Sequence, residues 1–229
     1  MKKIGLVGGI SWVSTIDYYR YINEYINERL GGLNYAECII YSVNFQEIHN
    51  NNAADDWDAT FNLISNACEN LKKAGAEAIV LCANTMHLLA DKIEQHIQLP
   101  LINVASETAK VIQQQRLKKV GLLGTQFTMK KDFFKNKLLE AGIETIIPNE
   151  EDIAYIVKTL DEELHKGIIR EETRQGYLAI MNKLLGQGAE GIILGCTEIP
   201  LLIKAGDIEA PLFDTTQIHS KAAVKFALN

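Results

Sequence analysis

The chain has 229 residues, 47% apolar and 23% charged, with 29 Asp and Glu against 23 Lys and Arg for a formal charge of −6. These fractions are ordinary for a globular protein, and the length suits two lobes better than one compact core. The acidic balance argues against a dedicated surface for nucleic acid or anionic membrane, and no apolar stretch approaches the length of a membrane span.

Residues 4–7 form a compact buried-strand pattern with no apolar signal-peptide core ahead of them, so the expected location is cytoplasmic. Gly8 and Gly9 end that strand. A helix is predicted over 15–30, where Ile16, Tyr19, Ile22, Ile26 and Leu30 recur at steps of three and four. Residues 38–45 read as a strand. Residues 57–74 read as a helix with Phe61, Ile64, Cys68 and Leu71 as its buried stripe. Residues 78–82 form an all-apolar strand, and 85–95 look helical. Further on, 120–123, 144–147 and 192–194 read as strands, while 129–141, 153–165, 171–185 and 218–228 read as helices. Strands without polar alternation, separated by helices, indicate parallel sheets covered on both faces.

The chain also repeats itself. Residues 75–85 lie over 188–198 without a gap, 2–8 over 118–124, and 99–103 over 210–214, in the same order. Three collinear matches define a duplicated unit. The expected fold class is therefore α/β, with two pseudo-symmetric lobes, each a mostly parallel sheet with helices on both faces. The active site is expected in the cleft between them, beyond the carboxyl ends of strands. The lobes are predicted as 1–98 plus 210–229, and 99–209.

The register matters because Ala83 falls opposite Cys196 and Cys82 opposite Gly195. Cys196 leaves a predicted strand followed by Thr197 and Glu198. A thiol there can be tuned by turn amides, with a hydroxyl and a carboxylate at hand for proton relay. A purely structural cysteine is the competing reading, since free Cys is among the most buried residue types. Asn84 and Thr85 sit at the equivalent turn, suited both to capping and to holding an anion, with His87 as a brace or base. Gly9 and Ser11 belong to a Gly-rich turn that lacks the GxGxxG or Walker spacing and suits a small carboxylate. Thr125 and Thr128 are its counterpart in the second copy. Cys38, Cys68, Cys82 and Cys196 form no CxxC unit, and a reduced intracellular chain accounts for them. The histidines lack zinc-site spacing.

Gly8-Gly9-Ile10-Ser11 with Thr15 and Tyr18-Tyr19, the block Asn84-Thr85-Met86-His87, and Gly195-Cys196-Thr197-Glu198 together resemble the aspartate/glutamate racemase family. The resemblance implies two similar α/β lobes, racemisation of an acidic amino acid without pyridoxal phosphate or metal, and a homodimer. The expected partner is a small amino-acid substrate, with no nucleic acid and no membrane. In the family's mechanism two thiols flank the α-carbon. Cys196 matches the second; where the first is expected, this chain has Ala83. Cys82 could replace it only through a turn that breaks strand alternation. The alternatives are a single-cysteine enzyme that protonates a carbanion, as in decarboxylases of similar fold, or a non-catalytic amino-acid-binding homologue. His165 lies about where some family members place a basic substrate ligand.

Overall fold

The structure, a computed structural model, describes all 229 residues. The chain divides into two units, Met1–Asn103 with His219–Asn229, and Val104–Ile218. In chain order the first unit holds β1 (Ile4–Gly8), α1 (Trp12–Leu30), β2 (Cys38–Ser42), α2 (Phe45–Ala53), α3 (Trp57–Lys73), β3 (Ala78–Leu81), a 3₁₀ turn (Thr85–Leu89) and α4 (Ala90–Ile97). The second holds α5 (Val104–Gln114), β4 (Lys119–Gly124), α6 (Gln126–Lys130), α7 (Asp132–Glu140), β5 (Glu144–Ile146), α8 (Glu150–Glu162) and a 3₁₀ turn (Leu164–Lys166). It continues with α9 (Glu171–Gly186), β6 (Ile192–Gly195), α10 (Ile199–Leu202) and β7 (Leu212–Asp214); α11 (Thr215–Leu228) then returns the chain to the first unit. No helix is long and apolar enough to cross a membrane.

Both sheets are wholly parallel, in the orders β2-β1-β3 and β5-β4-β6-β7. In a strand successive side chains point to opposite faces, and β1, β3, β6 and nearly all of β4 are buried on both. In the first unit Ile4, Leu6, Val80 and Cys82 pack with Tyr18, Ile22 and Ile26 of α1 and with Val224 and Ala227 of α11. On its other face Val7, Ile79 and Leu81 pack with Ile64, Cys68 and Leu71 of α3 and Ile93 of α4. In the second unit Leu122 and Ile193 meet Val104 and Ile112 of α5 and Phe134 and Leu138 of α7. Leu123, Ile192 and Leu194 meet Ile156, Leu160, Tyr177 and Leu184 on α8 and α9.

The repeat reappears in equivalent backbone hydrogen bonds. The amide of Ile79 donates to Pro100 O at 2.9 Å, and that of Ile192 to Pro211 O at 2.9 Å. Ile79 bridges Leu101 as Ile192 pairs with Leu212. Glu77 and Glu190 each accept main-chain N–H groups at the entrance of the first strand of their unit, from Lys3 and from Lys118 and Lys119. These pairings move the boundaries away from those predicted. Residues 99–103 stay with the first unit because Leu101 extends its sheet. Residues 212–214 stay with the second because β7 pairs with β6, and the chain rejoins the first unit only at His219.

Several elements differ from the sequence expectation. On α1 the apolar stripe splits: Tyr18, Ile22 and Ile26 are buried, while Ile16, Tyr19 and Leu30 are exposed. β2 stops at Ser42 because Asn44 caps α2, its side chain accepting from Gln46 N. The helix predicted over 129–141 is two helices, broken where Lys131 is extended. α8 starts early, since Asn149 caps it by accepting from Asp152 N at 2.9 Å, and it ends before His165.

α11 is keyed to the first unit by a buried polar network. His219 Nε2 donates to Ile102 O at 2.6 Å, which leaves Nδ1 to accept from Tyr18 Oη at 2.8 Å. The His87 ring meets that of His219 edge-on, with centroids 5.3 Å apart. His87 Nδ1 donates to Ala83 O at 3.1 Å, and its Nε2 is buried without a hydrogen-bond partner. Burial pulls His87 down to about 4, against main-chain hydrogen bonds that oppose it. Burial, reinforced by the charge His87 would carry, pulls His219 down to about 3. Unfolded histidines take up protons near pH ~6.5, whereas these two refuse them in the folded state. Their contribution to stability is therefore complete above that pH and is lost as pH falls toward 4 and 3. For His87 alone the shift corresponds to about 3 kcal/mol. We predict a denaturation midpoint that drops steeply between pH 6.5 and 4 in urea titrations, with a shallower drop in His87→Gln.

Candidate active site

The second unit brings three of the expected residues, Cys196, Thr197 and His165, to one oxygen of a fourth, Glu198. β4 and β6 end side by side with Gly124 opposite Gly195. A Cβ on Gly124 would lie 2.8 Å from Gly195 O, and one on Gly195 would lie 2.6 Å from Leu123 O. The close approach therefore requires both glycines. Thr128, fully buried, packs its methyl group toward Gly195 and its hydroxyl 3.2 Å from that of Thr125, which caps α6. Of this pair, Thr128 supports the turn from inside, and Thr125 is half-buried at its rim.

Beyond Gly195 the chain turns through Cys196, Thr197 and Glu198, all buried. The Cys196 thiol donates to Glu198 Oε2 at 3.1 Å, and Thr197 Oγ1 donates to the same oxygen at 2.8 Å. His165, on the 3₁₀ turn after α8, places Nε2 3.9 Å from that oxygen and Nδ1 3.4 Å from Asp161 Oδ1. Sequence reasoning missed Asp161. The signal was present, because residues four apart on a helix end are neighbours.

Electrostatics at this point oppose an ionised thiol in the resting state. Burial raises the Cys196 pKa well above its ordinary value, and the charge and hydrogen bond of Glu198 raise it further. Amides of Glu198 and Thr197 pull the other way, as expected of a turn, but are outweighed. For His165 burial acts downward, yet the hydrogen bond to Asp161 and the charges of Glu198 and Asp161 leave it raised. A protonated thiol hydrogen-bonded to a carboxylate thus stands beside an imidazole 3.9 Å from the accepting oxygen. Such a group can take a proton from, or return one to, a carbon acid.

In the first unit Gly9, Ser11, Asn84 and Thr85 share the carboxyl edge of the sheet. Gly9 has φ +89° and donates its N–H to Thr15 Oγ1 at 2.8 Å. That hydroxyl in turn donates to Ser11 O at 2.9 Å. Ser14 Oγ, within reach of Ser11 O at 3.0 Å and Cys82 O at 3.3 Å, laces the end of β1 to the end of β3. Asn84 O accepts from His87 N at 3.0 Å.

Cys82 is not brought to that edge. Its side chain is wholly buried among Leu6, Tyr18, Ile22 and Val224, its Sγ is turned toward Val80 O at 3.9 Å, and burial pushes its pKa far up. Strand alternation survives to this position, so the expectation that a distorted turn could present Cys82 is not met. Ala83 points to the opposite face, with Val7, Leu81 and Met86. Cys196 occupies the equivalent face of its own unit, with Leu123, Leu194 and Ile199.

Fold and site together define a duplicated α/β protein whose second repeat carries a thiol paired with a carboxylate at a strand end. The model of the Asp/Glu/Hydantoin racemase family matches residues 7–223. The broad-specificity amino-acid racemase RacX of Bacillus subtilis is 24% identical over 226 residues, 96% of each chain. Among solved structures, a putative Asp/Glu racemase from Yersinia pestis is 49% identical, covering 100% of both chains with a TM-score of 0.93. An aspartate racemase homologue from Pyrococcus horikoshii is 36% identical, again over 100% of both, with a TM-score of 0.87. The chain belongs to the Asp/Glu/Hydantoin racemase family.

The Glu198 carboxylate holds Cys196 in its thiol form, so neutralising it should free the thiolate. In Glu198→Gln the alkylation of Cys196 by iodoacetamide, followed by peptide mass spectrometry, is expected to run several-fold faster at pH 8 than in the parent. An unchanged rate would mean that burial alone sets the thiol's protonation.

Proposed function

We propose that this protein is an amino-acid racemase that works by removing and returning the α-proton, with Cys196 as one acid/base. The observation that carries the reading is the Cys196–Glu198 pair at 3.1 Å at the carboxyl end of β6, in a chain of this family. Glu198 Oε2, 3.1 Å from Sγ, is placed to take the thiol proton, and the turn amides of Thr197 and Glu198 favour the thiolate that then faces the α-carbon. Thr197 keeps the receiving oxygen in place. His165, its pKa raised against burial by Asp161 and Glu198, places a protonatable imidazole beside the site, which supports an acidic substrate such as aspartate or glutamate. The family's name and its racemase relatives agree with that class; RacX, as its name says, has broad specificity.

Ala83 shapes the expected kinetics. It offers no proton, and Cys82 is engaged in the core. Opposite-face protonation then falls to water, which is neither positioned nor tuned as a thiol would be. Exchange of the α-proton should outrun inversion. In deuterated buffer, proton NMR of aspartate and glutamate is expected to lose the α-proton signal of one enantiomer faster than chiral analysis detects the other. Cys196→Ala should be silent in both assays, whereas Cys82→Ala should retain exchange. Ala83→Cys should raise inversion by ten-fold or more, within the ~10²–10⁴ that a positioned acid or base contributes. A lone thiol also suits protonation of a carbanion left by decarboxylation. Consumption of an arylmalonate with no exchange in any amino acid would favour that second reading.

A homodimer is the proposed assembly. Trp12, Ile16 and Tyr19, at steps of four and three on α1, are exposed together, and Trp12 is 66% accessible. Light scattering is expected to give twice the chain mass of 25.6 kDa, and Ile16→Glu to shift it toward the monomer.

A further inference from the structure

The group around Glu198 has the composition of a metal site as well as of an acid–base site. One thiol, one imidazole nitrogen and one carboxylate oxygen, from Cys196, His165 and Glu198, all lie within 4.8 Å of one another. Zinc bonds of about 2.0–2.3 Å put neighbouring ligand atoms roughly 3.3–3.6 Å apart in a tetrahedral site. The Sγ–Oε2 and Nε2–Oε2 separations of 3.1 and 3.9 Å bracket that range. Small side-chain adjustments would therefore close the set around one ion.

A second, independent feature points the same way. Ligating histidines characteristically direct their other ring nitrogen to a carboxylate, and ligating carboxylates are themselves hydrogen-bonded. Both supports are present: Asp161 Oδ1 lies 3.4 Å from His165 Nδ1, and Thr197 Oγ1 donates to Glu198 Oε2 at 2.8 Å. His165 is partly exposed while Cys196 and Glu198 are buried, so an ion would enter past the imidazole. Charge also closes. A dication balances one thiolate and one carboxylate and removes the repulsion between them.

We propose that Cys196, His165 and Glu198, braced by Asp161 and Thr197, form an inhibitory binding site for a thiophilic divalent cation of the Zn²⁺ type. On binding, the Cys196 S–H proton and, where His165 is protonated, its Nε2 proton pass to solvent; the sulfur and the imidazole nitrogen bond to the metal, with no change of oxidation state. Three protein ligands leave one coordination position for water or an incoming carboxylate. The metal occupies the thiol that the racemase reading needs, and only this inhibitory consequence rests on that reading.

The test is a substrate-free Co²⁺ titration of the reduced full-length protein under argon. We expect one equivalent of Co²⁺ per chain to raise a near-ultraviolet thiolate-to-cobalt charge-transfer band together with visible bands of tetrahedral intensity. Zn²⁺ should then displace both. Cys196→Ser, checked for native far-ultraviolet circular dichroism, should lack the charge-transfer band. Asp161→Asn should keep it with about 10–100-fold weaker binding. One equivalent of Zn²⁺ should also stop α-proton exchange by the parent protein, and a chelator should restore it. Absence of the band at stoichiometric Co²⁺, or its survival in Cys196→Ser, overturns the site. Exchange without any band would sink the metal site and leave the racemase standing. A band without exchange in metal-free protein would support the site and remove the inhibitory role along with the racemase reading.

Discussion

The geometry of the candidate site depends on how closely two parallel strands can end beside each other. β4 and β6 finish at Gly124 and Gly195, and neither position has room for a Cβ against the neighbouring main chain. That contact lets the turn after β6 begin at the sheet edge. Thr128 fills the space beneath it, and Cys196 emerges at the first position past the strand. Glu198 is then two residues further on. Its oxygen collects both the thiol and the Thr197 hydroxyl inside a single turn. A side chain at either glycine would push the strand ends apart and with them every distance in the site.

The first unit uses the same frame for different chemistry. Its strands end in the same register, and the lacing is done by Ser14 and Thr15 where the other unit uses Thr125 and Thr128. At the two turn positions after the strand, Asn84 and Thr85 stand where the second repeat has Thr197 and Glu198. Neither carries a charge. Acid–base capacity is thus concentrated in one repeat, while the other presents uncharged polar groups suited to holding an anion. The burial of His87 and His219 beneath this edge follows the same pattern, since both are held neutral by burial.

Much of this was legible from residue order, and the reasons are specific. All-apolar strands such as 78–82 and 192–194 announce sheets buried on both faces. The gapless match of 75–85 to 188–198 carried the register so well that the opposed facing of Cys82 and Ala83 followed from alternation alone. α2 and α5 were not legible. α2 is mostly polar and fully buries only Ile48, and the stripe that α5 buries, Val104, Ala105, Thr108, Ala109 and Ile112, contains only two large apolar side chains. The break at Lys131 left no trace either, because its extended backbone is not marked by Gly or Pro.

The sequence by itself determined the duplication, the parallel sheets, the placing of Cys196, Thr197 and Glu198 at a strand end, and the absence of a thiol at Ala83. These follow from local periodicity and from comparing the chain with itself. Only the tertiary structure decided that Cys82 belongs to the core and that β7 closes the second sheet. It also decided that His165, more than thirty residues before Glu198 and flanked by Asp161, comes within 3.9 Å of it. Those outcomes depend on where one helix ends relative to a strand in the same unit. That distance is set by packing between residues far apart in the chain, which no local pattern encodes.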